Sequence, residues 1–135
     1  MGSWSNIRKH LHQHPEISGD EQQTAFYILK QLEKFKPSRI YKNIGGHGIA
    51  VCFDAKKHGP NVLFRTELDA LPIEELNTFK YRSIKKGVSH KCGHDGHMAI
   101  ILSLAEMIAK TPPLIGTVTL LFQPAEETGK GALAV

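Results

Sequence analysis

The sequence predicts an α/β domain, a sheet flanked by helices, and three observations predict it. Segments with apolar residues at helical spacing alternate with short runs of β-branched and apolar residues. Acids, Asp69 and the pair Glu126 and Glu127, stand just past two of those runs, and the carboxyl ends of strands are where α/β sheets gather their site residues. Between them lies the stretch His90 to His97, which packs three histidines, one of two cysteines and an acid into eight residues.

In chain order, Trp4, Ile7 and Leu11 stand at helical spacing, which predicts a short amphipathic helix over Ser5 to His12 that Pro15 ends. Ser18 with Glu21 three residues on reads as a capping box. Ala25, Ile28, Leu29 and Leu32 continue that helix toward Phe35, about four turns at the surface of the domain. His10, His12 and His14 alternate just before Pro15. The first two fall in one predicted helix without one-turn spacing, which favours structural or solvent roles over metal binding.

Arg39 to Phe53 reads as two strands around the turn Gly45-Gly46-His47-Gly48, a hairpin or tight loop. No lysine follows in the P-loop position, so a phosphate cradle is disfavoured. Val62 to Phe64 opens a buried strand that runs into Arg65, Glu67 and Asp69 and stops at Pro72. Ile73 to Lys91 is polar and without periodicity, which leaves room for a flap or substrate loop. Ala99 to Ile108 is apolar nearly all round, a helix covered on several sides that starts near Asp95 or Gly96 and ends at Thr111-Pro112-Pro113. Thr117 to Phe122 is the next buried strand, and the small residues from Gly129 to Val135 are able to start a further helix.

The chemistry concentrates in three places. A soft thiolate beside imidazoles suits zinc best among common ions, and nearby carboxylates also admit manganese or cobalt, so His90 to His97 reads as a metal site. The plainer alternative is a polar loop with solvated histidines. Cys92 and His94 fall at a helix N-terminus, which stabilises a thiolate and lowers its pKa. Neighbouring side chains in an extended segment point to opposite sides, so one of Glu126 and Glu127 binds an ion while the other faces water. Metal-assisted hydrolysis needs that division, a ligand beside a general base, although a solvated acidic pair has the same sequence. Glu67 and Asp69 share a side of their strand, one to ligate and the other to orient a ligand, with a salt bridge from Arg65 as the equal alternative.

Composition excludes other classes. At 135 residues and 41% hydrophobic content the chain predicts one domain with its own core. The net charge of +4 is spread in short basic pairs among acids, without the basic stripe or aromatic platform of a nucleic-acid binder. A mild positive field favours anionic small substrates instead. No apolar run spans a bilayer, and Met1 to Ser5 lacks a signal-peptide core, so a cytoplasmic location is expected. Cys52 and Cys92 form no Cys-x-x-Cys motif, which argues against a redox protein and for a ligand or free thiol at Cys92.

Four motifs in order, Leu11 to Glu16, Arg65 to Ile73, His90 to His97 and Phe122 to Glu127, resemble the metal-dependent amidohydrolases. That family includes hippurate hydrolase, N-acyl-amino-acid amidohydrolases and plant indole-acetyl-amino-acid hydrolases, relatives of aminoacylase and zinc carboxypeptidases. The resemblance covers essentially the whole chain. It implies a zinc-exopeptidase-like mixed sheet flanked by helices, and a centre of two divalent metals, zinc or manganese. The implied substrate is a small N-acyl amino acid or dipeptide-like molecule. It implies Cys92, His94 and Glu127 as metal ligands, Glu126 as the general base and acid, and Asp69 and Asp95 as supporting residues. Glu67 stands where many relatives carry aspartate. Relatives run on after the two glutamates with further histidine ligands, more strands and an inserted lid that often dimerises. Residues 1–135 are therefore expected to be the N-terminal part of a catalytic domain with an incomplete sheet and no lid, open to self-association through its cut edge.

Overall fold

Ile7 and Leu11 bury one side of the first helix, α1 (Trp4–Gln13), as their spacing predicts. The computed structural model describes residues 4–135; Met1, Gly2 and Ser3, part of the opening read above as lacking a signal-peptide core, lie outside the described residues. Helix α2 (Gln22–Leu32) buries Ala25, Ile28 and Leu32 and ends in a 3-10 turn, Glu33–Phe35. Strands β1 (Arg39–Ile44) and β2 (Gly48–Asp54) form the expected hairpin. Strand β3 (Asn61–Glu67) precedes a long irregular segment, then come helix α3 (His94–Lys110), strand β4 (Thr117–Gln123) and the short helix α4 (Gly131–Ala134). The four strands form one mixed sheet in the order β1-β2-β4-β3, antiparallel except for the parallel pair β3 and β4.

Register decides which side chains meet the helices. Ile49, Val51 and Phe53 of β2 lie opposite Phe122, Leu120 and Val118 of β4, and this face packs on Ile28, Leu32, Met98 and Leu102 as one core. Leu32, Val51, Met98, Leu102, Leu120 and Phe122 are fully buried. Burial of side chains of this size supplies about 1.5–3 kcal/mol each, which makes this face the main source of stability.

Three local expectations are corrected. The capping box does not form: the Ser18 hydroxyl bonds Asp69, Glu21 makes no side-chain cap to its own helix, and the Glu16 carboxylate accepts the Thr24 N–H at 2.7 Å instead. A carboxylate eight residues away satisfies the orphan donor that the local motif was expected to satisfy. Strand β3 is not buried either. Val62, Leu63 and Phe64 are 44%, 57% and 41% exposed, because β3 is an edge with β4 as its only neighbour among the described residues. Helix α3 is likewise covered on fewer sides than its composition predicts, since Ile100 and Met107 are exposed.

The segment between β3 and α3 has no regular structure but is pinned at both ends. Leu71 and Ser89 exchange backbone hydrogen bonds, which lays His90 to His94 beside Asp69. Midway, the buried Glu75 carboxylate accepts from His12, Asn77, the Ser83 N–H and Lys91. No helix among the described residues is long and apolar enough to cross a membrane.

Candidate metal centre

His94 opens α3, after Gly93 turns the chain in the left-handed region at φ +84°. Its Nδ1 lies 2.8 Å from the Asp69 backbone carbonyl, an acceptor only, so Nδ1 carries a proton and in the neutral ring Nε2 has the lone pair. That lone pair faces carboxylates. Glu67 Oε2, Glu126 Oε2 and Glu127 Oε1 stand 3.9, 3.7 and 3.8 Å from Nε2, beyond hydrogen-bond length. An imidazole oriented through its other nitrogen, with oxygens around the free one, is how proteins hold a divalent cation.

Among the described residues, two overlapping groups of potential ligand atoms share His94: one with Glu126 and Glu127, the other with Glu67 and His97, each within 4.8 Å. The two carboxylates of the first group, Glu126 and Glu127, repel at that distance by roughly 3–4 kcal/mol at the effective dielectric of a protein surface. A cation relieves that repulsion. Among the described residues, the arginine against these acids is Arg65, 3.3 Å from Glu67 and 3.9 Å from Glu126, with its Nε donating to Gln123. Glu127 Oε1 is buried with no hydrogen-bond partner among the described residues, a lone pair turned toward the same space. The donor set fits a divalent ion.

The glutamate pair departs from the sequence reading. Glu126 and Glu127 lie in a turn, not in an extended segment, and Ala125 before them is left-handed at φ +50°. The turn swings both carboxylates to one side, which is why both reach His94. Asp69, completely buried, supports from below: its Oδ2 accepts the Ser18 hydroxyl at 2.6 Å and the Glu127 N–H at 2.9 Å.

The Cys92 thiol joins neither ligand group among the described residues. It is exposed beside Glu127, and hydrogen bonding to Glu127, then desolvation, then the charges of Glu127, Glu126 and Asp69 push it up to about 11. This corrects the expected lowering, since the Glu127 bond, desolvation and the neighbouring carboxylates all disfavour the thiolate. Asp95 is buried but turned away from His94, its Oδ2 accepting from Arg8 and His12. His12 lies between Asp95 and Glu75, and His10 stacks on Tyr27 and against His14, so these histidines are structural, as expected. His90 is buried among His12, His94, Asp95 and Asp69, and desolvation holds its imidazole down at about 4. Both cysteines are free thiols.

Sequence reasoning passed over Gln123 and the pairing of His97 with Glu67, whose Nδ1 to Oε2 distance is 3.0 Å. The signal for the second was present, because His94 and His97 are three apart on one helix face.

Comparison with known proteins shows what the chain is similar to. The model of peptidase family M20/M25/M40 matches residues 63–135. The chain is 42% identical over 130 residues to the N-acetyl-L-cysteine deacetylase of Bacillus subtilis, covering 96% of this chain and 31% of that protein. It is 35% identical over 135 residues to the hippurate hydrolase of Campylobacter jejuni, covering 100% of this chain and 35% of that one. The crystal structure of the Bacillus subtilis YXEP protein, described as a dinuclear metal-binding peptidase, superposes with a TM-score of 0.92 at 36% identity, over 98% of this chain and 37% of that one. The chain thus spans about a third of the length of the curated relatives it matches.

Proposed function

Because the chain belongs to peptidase family M20/M25/M40, we propose that its 135 residues are the N-terminal part of the catalytic domain of a metal-dependent amidohydrolase acting on N-acyl amino acids. The observation that carries this reading is His94, oriented through Asp69 with its free nitrogen facing three carboxylates. His94 and Glu127, with Cys92 beside them, hold divalent metal, and zinc or manganese suits these donors; a complete site takes two ions. When bound, such an ion supplies Lewis acidity for the scissile carbonyl.

The residues of this chain do the rest. Glu126, 37% exposed by its side chain, is the more accessible of the pair and takes a proton from water, then passes it to the leaving amine. Glu127, held by the Asp69 carboxylate through its N–H, is the fixed member and serves as ligand. Arg65, beside Glu126, restrains the base. The relatives' names support N-acyl amino acids as the substrate class, and two free thiols fit a reducing compartment such as the cytoplasm. The apolar edge at β3 favours association with a second copy.

Elemental analysis of protein purified without added metal tests the site. At least one ion per chain is expected, with loss of metal in His94→Ala and reduced retention in Cys92→Ser. Glu126→Gln should keep the metal and abolish hydrolysis of N-acyl amino acids in a protein that turns them over. Metal-free native protein, or unchanged turnover in Glu126→Gln, would overturn the respective assignment.

A further inference from the structure

Glu21 is completely buried, more than 100 residues from the glutamate turn in sequence, and not spent on its own helix. Its Oε1 accepts the Ala125 N–H at 2.8 Å and the Gly19 N–H at 2.9 Å. We propose that Glu21 is a positioning residue for Glu126 and Glu127, holding their turn from behind through the Ala125 amide. The proposal rests on the metal-centre reading above.

Three observations separate this role from an ordinary helix cap. Glu21 stands at the N-cap position of α2 but makes no side-chain bond to it; Glu16 caps that helix through Thr24, which frees Glu21 to cross to the turn. Ala125 is a left-handed residue with a Cβ, a strained conformation that persists only where its surroundings fix it. Both of its peptide groups are fixed, the N–H by Glu21 and the carbonyl by the Gly131 N–H at 2.9 Å and the Thr128 hydroxyl at 3.2 Å. Finally, the N–H groups on either side of Glu126 each meet a fully buried carboxylate, that of Ala125 meeting Glu21 and that of Glu127 meeting Asp69. Asp69 is itself held by Ser18, and the Ala70 N–H bonds the Glu16 carbonyl at 2.7 Å. The short segment 16–21 is thereby a brace linking the end of β3 to the glutamate turn. Bonds to a carboxylate are stronger than neutral ones, which suits the task of holding a strained residue.

The test uses the whole chain, zinc titration by calorimetry and hydrogen exchange at the Ala125 amide. Glu21→Ala should lose protection at Ala125 and weaken zinc binding roughly 10- to 100-fold, the usual effect of removing a group that orients a ligand. Glu21→Gln keeps an acceptor oxygen in place and should restore both. Ile28→Val, a buried change in the same helix, should lower stability while leaving zinc affinity unmoved. If Glu21→Ala does not fold, Glu21→Asp keeps the charge, shortens the arm and should show the same two losses. A folded Glu21→Ala or Glu21→Asp variant with native zinc affinity and native protection at Ala125 would overturn the proposal. If native protein takes no zinc, the function reading fails, while retained or lost exchange protection still decides whether Glu21 holds Ala125.

Discussion

Glu75 shows at the scale of one residue how the irregular segment before α3 is kept in place. Burial alone would raise its carboxyl, but bonds from Lys91, the Ser83 N–H, Asn77 and His12 outweigh it and bring it down to about 2 from 4.5. A depressed carboxyl contributes stability that is complete above its unfolded value and is lost as pH falls through the folded one. Glu75→Gln should therefore cost more stability at pH 6 than at pH 3, as measured by urea unfolding at each. An equal cost at both would mean that the ionised form is not what the four donors recognise. Single residues also mark what was legible beforehand. Asp69, Cys92, His94, Glu126 and Glu127 stand out by donor chemistry, which residue type alone reveals. That both glutamates face His94 does not, because it depends on the sign of one backbone angle at Ala125. Glu21 reads locally as half of a capping box, and no local pattern announces its bond to Ala125.

At the scale of elements, α1, α2, α3 and the hairpin were legible because periodicity is a local property. The exposure of β3 was not. Its run of apolar residues reads as buried, and only the strand order places it at an edge. Leu102, fully buried on α3 against the sheet, should cost about 2–5 kcal/mol on truncation to alanine, checked by denaturant unfolding. Helix α4 is short but seated closely: a Cβ at Gly131 would run into the Pro124 carbonyl oxygen. Gly131→Ala should push α4 off the turn, break the Gly131 bond to the Ala125 carbonyl, and weaken zinc binding more than its loss of thermal stability would suggest. Zinc titration beside a melting curve separates the two.

At the scale of the whole molecule, apolar residues stand exposed on both faces of the β3 edge, Val62 and Phe64 on the helix side and Leu63 opposite. Charge is what natural edges use to prevent strand-to-strand pairing, and this stretch has none before Arg65. The chain should associate with itself in a concentration-dependent way, seen by sedimentation, and Leu63→Lys should return it to monomer. A native chain that stays monomeric at high concentration would show that the edge is protected by other means. The strand order has one more consequence, for the order in which the molecule is made. The last of the four described strands in sequence, β4, is an inner strand, lying between β2 and β3. While the chain leaves the ribosome, the hairpin and β3 have no ladder joining them, and α3 has no finished sheet to lie on. Cooperative folding of these elements must wait for β4 and the turn after it, which carries the glutamate pair, so a chain interrupted before them yields neither this sheet nor its site.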